Sequence, residues 1–112
     1  WDLEFTDGDD QPRDSSSASI AACGMLEMIK YMEKDEAQIY RTYACQMLKS
    51  LYESYAVKDP AQSNGLVLHS TYSNHSPYNT CNHYGVDECN SWGDYFYMEA
   101  LTRLGKDWVL YW

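Results

Sequence analysis

The sequence predicts an all-α fold, on three observations. Apolar residues recur at helical spacing in three separate stretches, and each stretch opens on residues suited to a helix start. The first stretch is built from small side chains over half its length, which suits a rod with neighbours on several sides. The second is amphipathic on one side only, which suits an outer helix with one face in water.

The first predicted helix runs from Asp14 to about Met32. Asp14 is a good N-cap, and the three serines after it can satisfy exposed backbone donors. Ser16, Ser17, Ala18, Ser19, Ala21, Ala22, Cys23 and Gly24 make the first half slim, and Leu26, Met28, Ile29 and Met32 supply bulk later. The second helix is predicted from about Asp35 to Ala56, with Ile39, Tyr43, Met47, Leu51 and Tyr55 as its apolar stripe. Arg41, Gln46, Lys49 and Glu53 populate the other side.

Lys58 to Gly65 reads as a loop, and Leu66-Val67-Leu68-His69 as a strand or a buried extended segment. The polar stretch from Ser70 to Asn90 is long for a structureless connection, and such loops are usually functional or disordered. Its aromatic and cysteine content argues for order. The third helix spans about Trp92 to Leu104. Asp94 suits its positive end, and Gly105 is placed to end it. Trp92, Tyr95, Phe96 and Tyr97 crowd its first turns, as in a pocket wall or a domain centre. The tail from Asp107 to Trp112 carries two tryptophans and is expected to pack down.

The chain has 112 residues, enough for one small domain, and a net charge of −9 without a basic stripe, which excludes nucleic acid as a partner. No run of about 18 apolar residues is present, so no membrane partner is expected. Eleven tyrosines against two phenylalanines favour rings that pack and still offer a polar edge. The acidic run Asp7-Gly8-Asp9-Asp10 lacks the closing glutamate of a calcium loop and reads as a solvated turn; no metal or cofactor is implied. Cys81 and Cys89 bracket a polar loop and could bridge, whereas Cys23 and Cys45 read as buried thiols. With the sequon Asn74-His75-Ser76, they point to an extracellular location. The start at Trp1 reads as a cut or processed product.

Several pieces then line up: Trp1-Asp2, Pro12-Arg13-Asp14-Ser15-Ser16, Ser19-Ile20-Ala21-Ala22-Cys23-Gly24, Gly65-Leu66-Val67-Leu68-His69, Trp92-Gly93-Asp94-Tyr95-Phe96, Glu99-Ala100-Leu101 and Tyr111-Trp112. Together they resemble the C-terminal portion of the unsaturated glucuronyl hydrolases, glycoside hydrolase family 88. The resemblance covers nearly the whole chain. It implies part of an (α/α)6 barrel, with residues 1–112 a segment of one catalytic domain and the rest of the barrel as a necessary partner.

The resemblance also implies an oligosaccharide substrate left by a polysaccharide lyase, bearing a 4,5-unsaturated uronic acid at its non-reducing end. In such chemistry an aspartic acid protonates the vinyl ether at C4, water adds at C5, and the hemiketal opens to release the next sugar. The family's catalytic aspartates lie upstream of this segment, so none maps here; Asp14 and Asp94 read as helix-start residues. A sulfate-binding Ser-x-x-Ser-x-Lys stretch of some members matches Ser70-Thr71-Tyr72-Ser73-Asn74-His75, with His75 in place of the lysine, so the fixed charge is lost near neutral pH. The substrate-binding candidates are therefore Ser70, Ser73, His75 and the adjoining His69. Two other readings fit the same residues: an unsaturated rhamnogalacturonyl hydrolase with a related barrel, and a free-standing helical binding module.

Overall fold

The computed structural model describes residues 11–74 and 85–109. Three α-helices form the framework: α1 (Ser15–Met28), α2 (Lys34–Ser50) and α3 (Ser91–Gly105). No helix among the described residues is long and apolar enough to cross a membrane.

Asp14 caps α1. Its Oδ1 accepts from the Ser16 backbone N–H at 3.0 Å and from the Ser16 hydroxyl at 2.6 Å. Ser17 Oγ donates back to the Asp14 carbonyl at 2.7 Å, so the serines serve the helix start as expected. The α-helix stops at Met28, four residues short of the predicted end, and tightens into a 3₁₀ turn over Ile29–Tyr31. Asp35 and Glu36 open α2 and Lys49 closes it, which suits the helix dipole. The end of α2 widens into a π turn, Leu51–Tyr55, closed by Ala56 N–H donating to the Leu51 carbonyl at 2.7 Å.

The buried face of α2 differs from the predicted stripe. Ile39 and Tyr43 are half exposed, at 53% and 50%, while Ala44, Leu48 and Leu51 are buried. The reason is geometric. Four residues turn through roughly 400° on a helix, so steps of four drift around the cylinder by about 40° each. A straight seam alternates steps of three and four, as 44, 48 and 51 do. By the time the predicted line reaches Leu51 it has crossed to the core, but its first members face water.

α1 and α3 lie side by side and run parallel. Trp92 reaches Ser16, Glu99 reaches Cys23 and Arg103 reaches Glu27, each pair separated by 76 residues. A constant offset of this kind requires two helices pointing the same way in register. α2 returns antiparallel between them in sequence. Ala22, Ala44 and Ala100, all fully buried, let the three rods approach closely, and Leu26, Leu48, Leu51, Val67 and Tyr97 fill the remaining core.

Near the C-terminal ends, α1 and α3 are joined by charge. Glu99 accepts from Arg103 Nη2 at 2.6 Å and Nε at 2.8 Å, and from the Cys23 thiol at 3.0 Å. Arg103 Nη1 also pairs with Glu27. Burial pushes the Cys23 thiol up to about 12, with Glu99 adding to the effect, so the thiol keeps its proton. Burial alone would raise Glu99, but hydrogen bonds from Cys23, Tyr95 and Arg103 outweigh it and hold the carboxyl below its ordinary value.

Cys23 is buried, as expected; Cys45 is only half-buried. Cys89 is a free thiol 3.3 Å from Ser63 Oγ, and Cys81, its expected partner, lies outside the described residues. The same holds for the acidic run at 7–10 and for Tyr111-Trp112.

Candidate functional site at the helix-start corner

The starts of α1 and α3 meet at one end of the molecule. Asn90 caps α3, its Oδ1 accepting from Gly93 N–H at 2.7 Å. Gly93 is where the two helices and the intervening loop converge. A Cβ there would sit 2.8 Å from Asn90 Oδ1, 3.0 Å from Ser16 Cβ and 3.3 Å from Ser70 Oγ. Only glycine permits that approach. Trp92 Nε1 donates to Ser16 Oγ at 3.3 Å and ties the same corner from its rim.

The segment Leu66–His69 is pinned from both sides. Val57 N–H donates to the Leu66 carbonyl and Leu68 N–H to the Tyr55 carbonyl, at 2.9 and 2.8 Å. On the other side both oxygens of Asp94 accept, from the Leu66 and Val67 N–H groups at 3.0 Å each. Asp94 thus sits in the first turn of α3 as predicted, but its carboxylate does more than oppose a dipole: it holds an extended segment 27 residues away. Ser15 completes the clasp. Its N–H donates to the His69 carbonyl at 3.1 Å and its hydroxyl to the Leu68 carbonyl at 2.7 Å.

From there the chain forms a short antiparallel ribbon. Ser70 and Glu88 exchange backbone bonds of 2.8 and 2.9 Å, and Tyr72 N–H donates to the Gly85 carbonyl at 2.9 Å. Gly85 lies at φ 94° against the Tyr72 ring, a conformation and a closeness that both demand glycine. The Tyr72 ring meets Trp92 edge-on at 5.3 Å, and its hydroxyl donates to Glu88 at 3.2 Å.

The predicted site residues part company on this ribbon. Ser70 is fully buried. Since the Ser15 proton goes to Leu68, the Ser70 hydroxyl donates to Ser15 Oγ at 2.9 Å, and it faces the helix corner rather than an open surface. Ser73 is half-buried at the ribbon's end, its N–H 3.4 Å from the Gly85 carbonyl. His75 lies outside the described residues. His69 lines a concavity. That hollow has a volume of about 560 Å³ and is walled by Pro12, Arg13, Ser54, Tyr55, His69 and Asp87. His69 Nδ1 bonds to Asp87 Oδ1, the Tyr55 ring stands edge-on to the imidazole at 5.7 Å, and Arg13 Nη1 donates to the Tyr55 hydroxyl at 3.1 Å.

Sequence reasoning missed Asp87 and Tyr55. Asp87 sits 18 residues from His69 in a polar loop with no periodicity to mark it. Tyr55 was placed on the apolar stripe of the second helix, where it reads as packing.

Parallel neighbouring helices joined through an antiparallel one are the repeat of a helical barrel. No family model matches the chain. Two curated relatives match it along its full length: unsaturated chondroitin disaccharide hydrolases from Streptococcus pneumoniae, 48% identical, and from Streptococcus agalactiae, 46% identical. The crystal structure of unsaturated glucuronyl hydrolase from Streptococcus agalactiae superposes with a TM-score of 0.84 over all of this chain, at 46% identity. The chain belongs to the unsaturated glucuronyl hydrolase family. It spans 27% of the length of both curated relatives, and 27% of the chain in that crystal structure. The three helices therefore correspond to part of the relatives' fold, with α1 and α3 as parallel neighbours.

Proposed function

We propose that this chain forms part of a glycoside hydrolase that removes a 4,5-unsaturated uronic acid from lyase-generated oligosaccharides, with unsaturated chondroitin disaccharides as the substrate class. The observation that carries this reading is 46–48% identity along the full chain to two proteins of that named activity. The chemistry is hydration of a vinyl ether: C4 gains a proton, C5 gains a hydroxyl from water, and the resulting hemiketal opens with loss of the next sugar. The acid that protonates C4 belongs to the remainder of the barrel. The residues of this chain build one wall of the site, with the Asp14 and Asn90 helix starts and the 69–73 ribbon fixed against each other.

We further propose that the rest of the barrel covers the open faces of α1 and α3. Ile20 and Met28 of α1, and Tyr95, Met98 and Leu101 of α3, are exposed here. Apolar side chains on two parallel helices suit further hairpins packed beside them.

The test is made on the protein in which this chain occurs, expressed in full. Loss of the ultraviolet absorbance of the C4–C5 double bond is followed on unsaturated chondroitin disaccharide and on unsaturated rhamnogalacturonan oligomers. Turnover of the chondroitin product is expected. Turnover of the rhamnogalacturonan product alone transfers the protein to the related reaction, and no turnover of either refutes the proposal.

A further inference from the structure

Two non-glycine residues among those described have positive φ, His69 at 63° and Asp87 at 60°. Left-handed backbone is unfavourable for a residue with a side chain, and such strain collects at binding and catalytic sites. Here the two strained residues face each other. They flank the reciprocal pair of backbone bonds between Ser70 and Glu88, and their side chains are bonded across it. The backbone of His69 is held further by Ser15, whose N–H takes its carbonyl. Helix start and ribbon together therefore impose the conformation, and its result is an imidazole and a carboxylate on the wall of the 560 Å³ hollow.

The chemistry of the pair follows from its bonding. Asp87, as a carboxylate, accepts, so the Nδ1 of a neutral imidazole carries the proton. Nε2 is then an acceptor whose direction is set by Asp87. Nε2 has no hydrogen-bond partner among the described residues, and the imidazole is 46% exposed. Around it stand a tyrosine ring, the Arg13–Tyr55 hydrogen bond and the Ser54 backbone turn. An oriented acceptor beside an aromatic edge and a guanidinium, in a hollow of small-molecule size, suits a polyhydroxylated ring better than an apolar ligand.

We propose that this hollow binds a sugar ring of the oligosaccharide, with His69 Nε2 accepting from one of its hydroxyls and Asp87 as the positioning residue that holds the imidazole. The proposal rests on the reading above that the protein acts on oligosaccharides. It adds residues from the α1 start, the α2 end and the far strand of the ribbon to the binding surface.

The test uses two variants that tolerate left-handed backbone, His69→Asn, whose shorter side chain cannot reach, and Asp87→Gly, which removes the carboxylate; His69→Gln is added as a conservative replacement with an acceptor farther out. In the full protein, His69→Asn is expected to raise KM for unsaturated chondroitin disaccharide about tenfold, the loss of one hydrogen bond, with kcat changed less than about twofold. Asp87→Gly is expected to raise KM about threefold, His69→Gln to recover part of the loss, and the thermal midpoint to stay within about 2 °C. Independently of turnover, the His69 imidazole NMR signals are expected to shift on titration with the saturated chondroitin disaccharide. Unchanged KM with no imidazole shift overturns the proposal, and so does a KM rise matched by a fall in thermal midpoint, which marks a structural role. An imidazole shift in a protein that hydrolyses no unsaturated oligosaccharide refutes the proposed function and supports the hollow. Hydrolysis with an unmoved imidazole signal and unchanged KM does the reverse.

Discussion

Replacing Glu99 by alanine is expected to cost about 3 kcal/mol of folding stability. Arg103 is 5% exposed, and Glu99 Oε1 accepts two of its N–H groups at 2.6 and 2.8 Å. Removing one partner of a buried ion pair costs about 3–5 kcal/mol, because the other charge is left desolvated. The lower end applies here, since Glu27 continues to hold Arg103 Nη1 and the Cys23 thiol loses only a weak hydrogen bond. Glu99→Gln keeps an oxygen but loses the charge, and roughly half the cost is expected. Adding Arg103→Met to Glu99→Ala removes the stranded charge and is expected to recover about 1–2 kcal/mol. The assay is urea unfolding of the full protein followed by tryptophan fluorescence. With a slope of about 3 kcal/mol per molar urea, the upper end for small proteins and so suited to a longer chain, the alanine variant's midpoint should fall by roughly 1 M. A fall below about 0.3 M, or a double variant no more stable than the single one, refutes the claim that this network joins α1 to α3.

Three other outcomes follow from the same geometry. Asp94→Ala strips the acceptors from the Leu66 and Val67 N–H groups and is expected to cost about 2–4 kcal/mol, with faster hydrogen exchange at those two amides as the local check. Gly93→Ala is expected to destabilise by about 1–3 kcal/mol in thermal unfolding, although alanine is the better helix former, because its Cβ enters the space of Asn90 Oδ1 and Ser16. Glu99 and Glu27 both titrate below their ordinary value of 4.5 in the folded state, so their contribution is present above that pH and is lost as pH falls through the lower folded values. Acid unfolding below about pH 4.5 should therefore be steeper in the wild type than in Glu99→Gln.

The helices were legible because their signals are local. Asp14 and the serines after it mark a helix start whatever surrounds them, but of the small residues that follow only Ser15, Ser16, Ser19, Ala22 and Cys23 are buried, while Ser17 and Gly24 are exposed, so neighbours come close on one side of α1 among the described residues. The burial of Cys23 and the extended path of Leu66–His69 follow from the same short-range patterns. The resemblance of the corner motifs to a known family was legible too, and one of its residues, Gly93, stands where a Cβ would come within 3.0 Å of Ser16 Cβ.

Pairing across the chain was not legible. The buried side of α2 depends on where α1 and α3 lie, and a list of apolar residues admits more than one seam. Asp94 was readable as a first-turn acid, but its bonds to Leu66 and Val67 span 28 and 27 residues. Ser70 carries a hydroxyl suited to a ligand, and only the approach of Ser15 and Gly93 turns it inward. The His69–Asp87 pair arises from two backbone conformations that neither residue favours alone; the ribbon and the α1 start impose them together. Composition and spacing by themselves determined three helices and roughly where they start, and the quoted motifs carried the resemblance to the family. The register between α1 and α3, and the hollow beside His69, were decided by tertiary structure alone, since both depend on contacts whose partners no sequence interval announces.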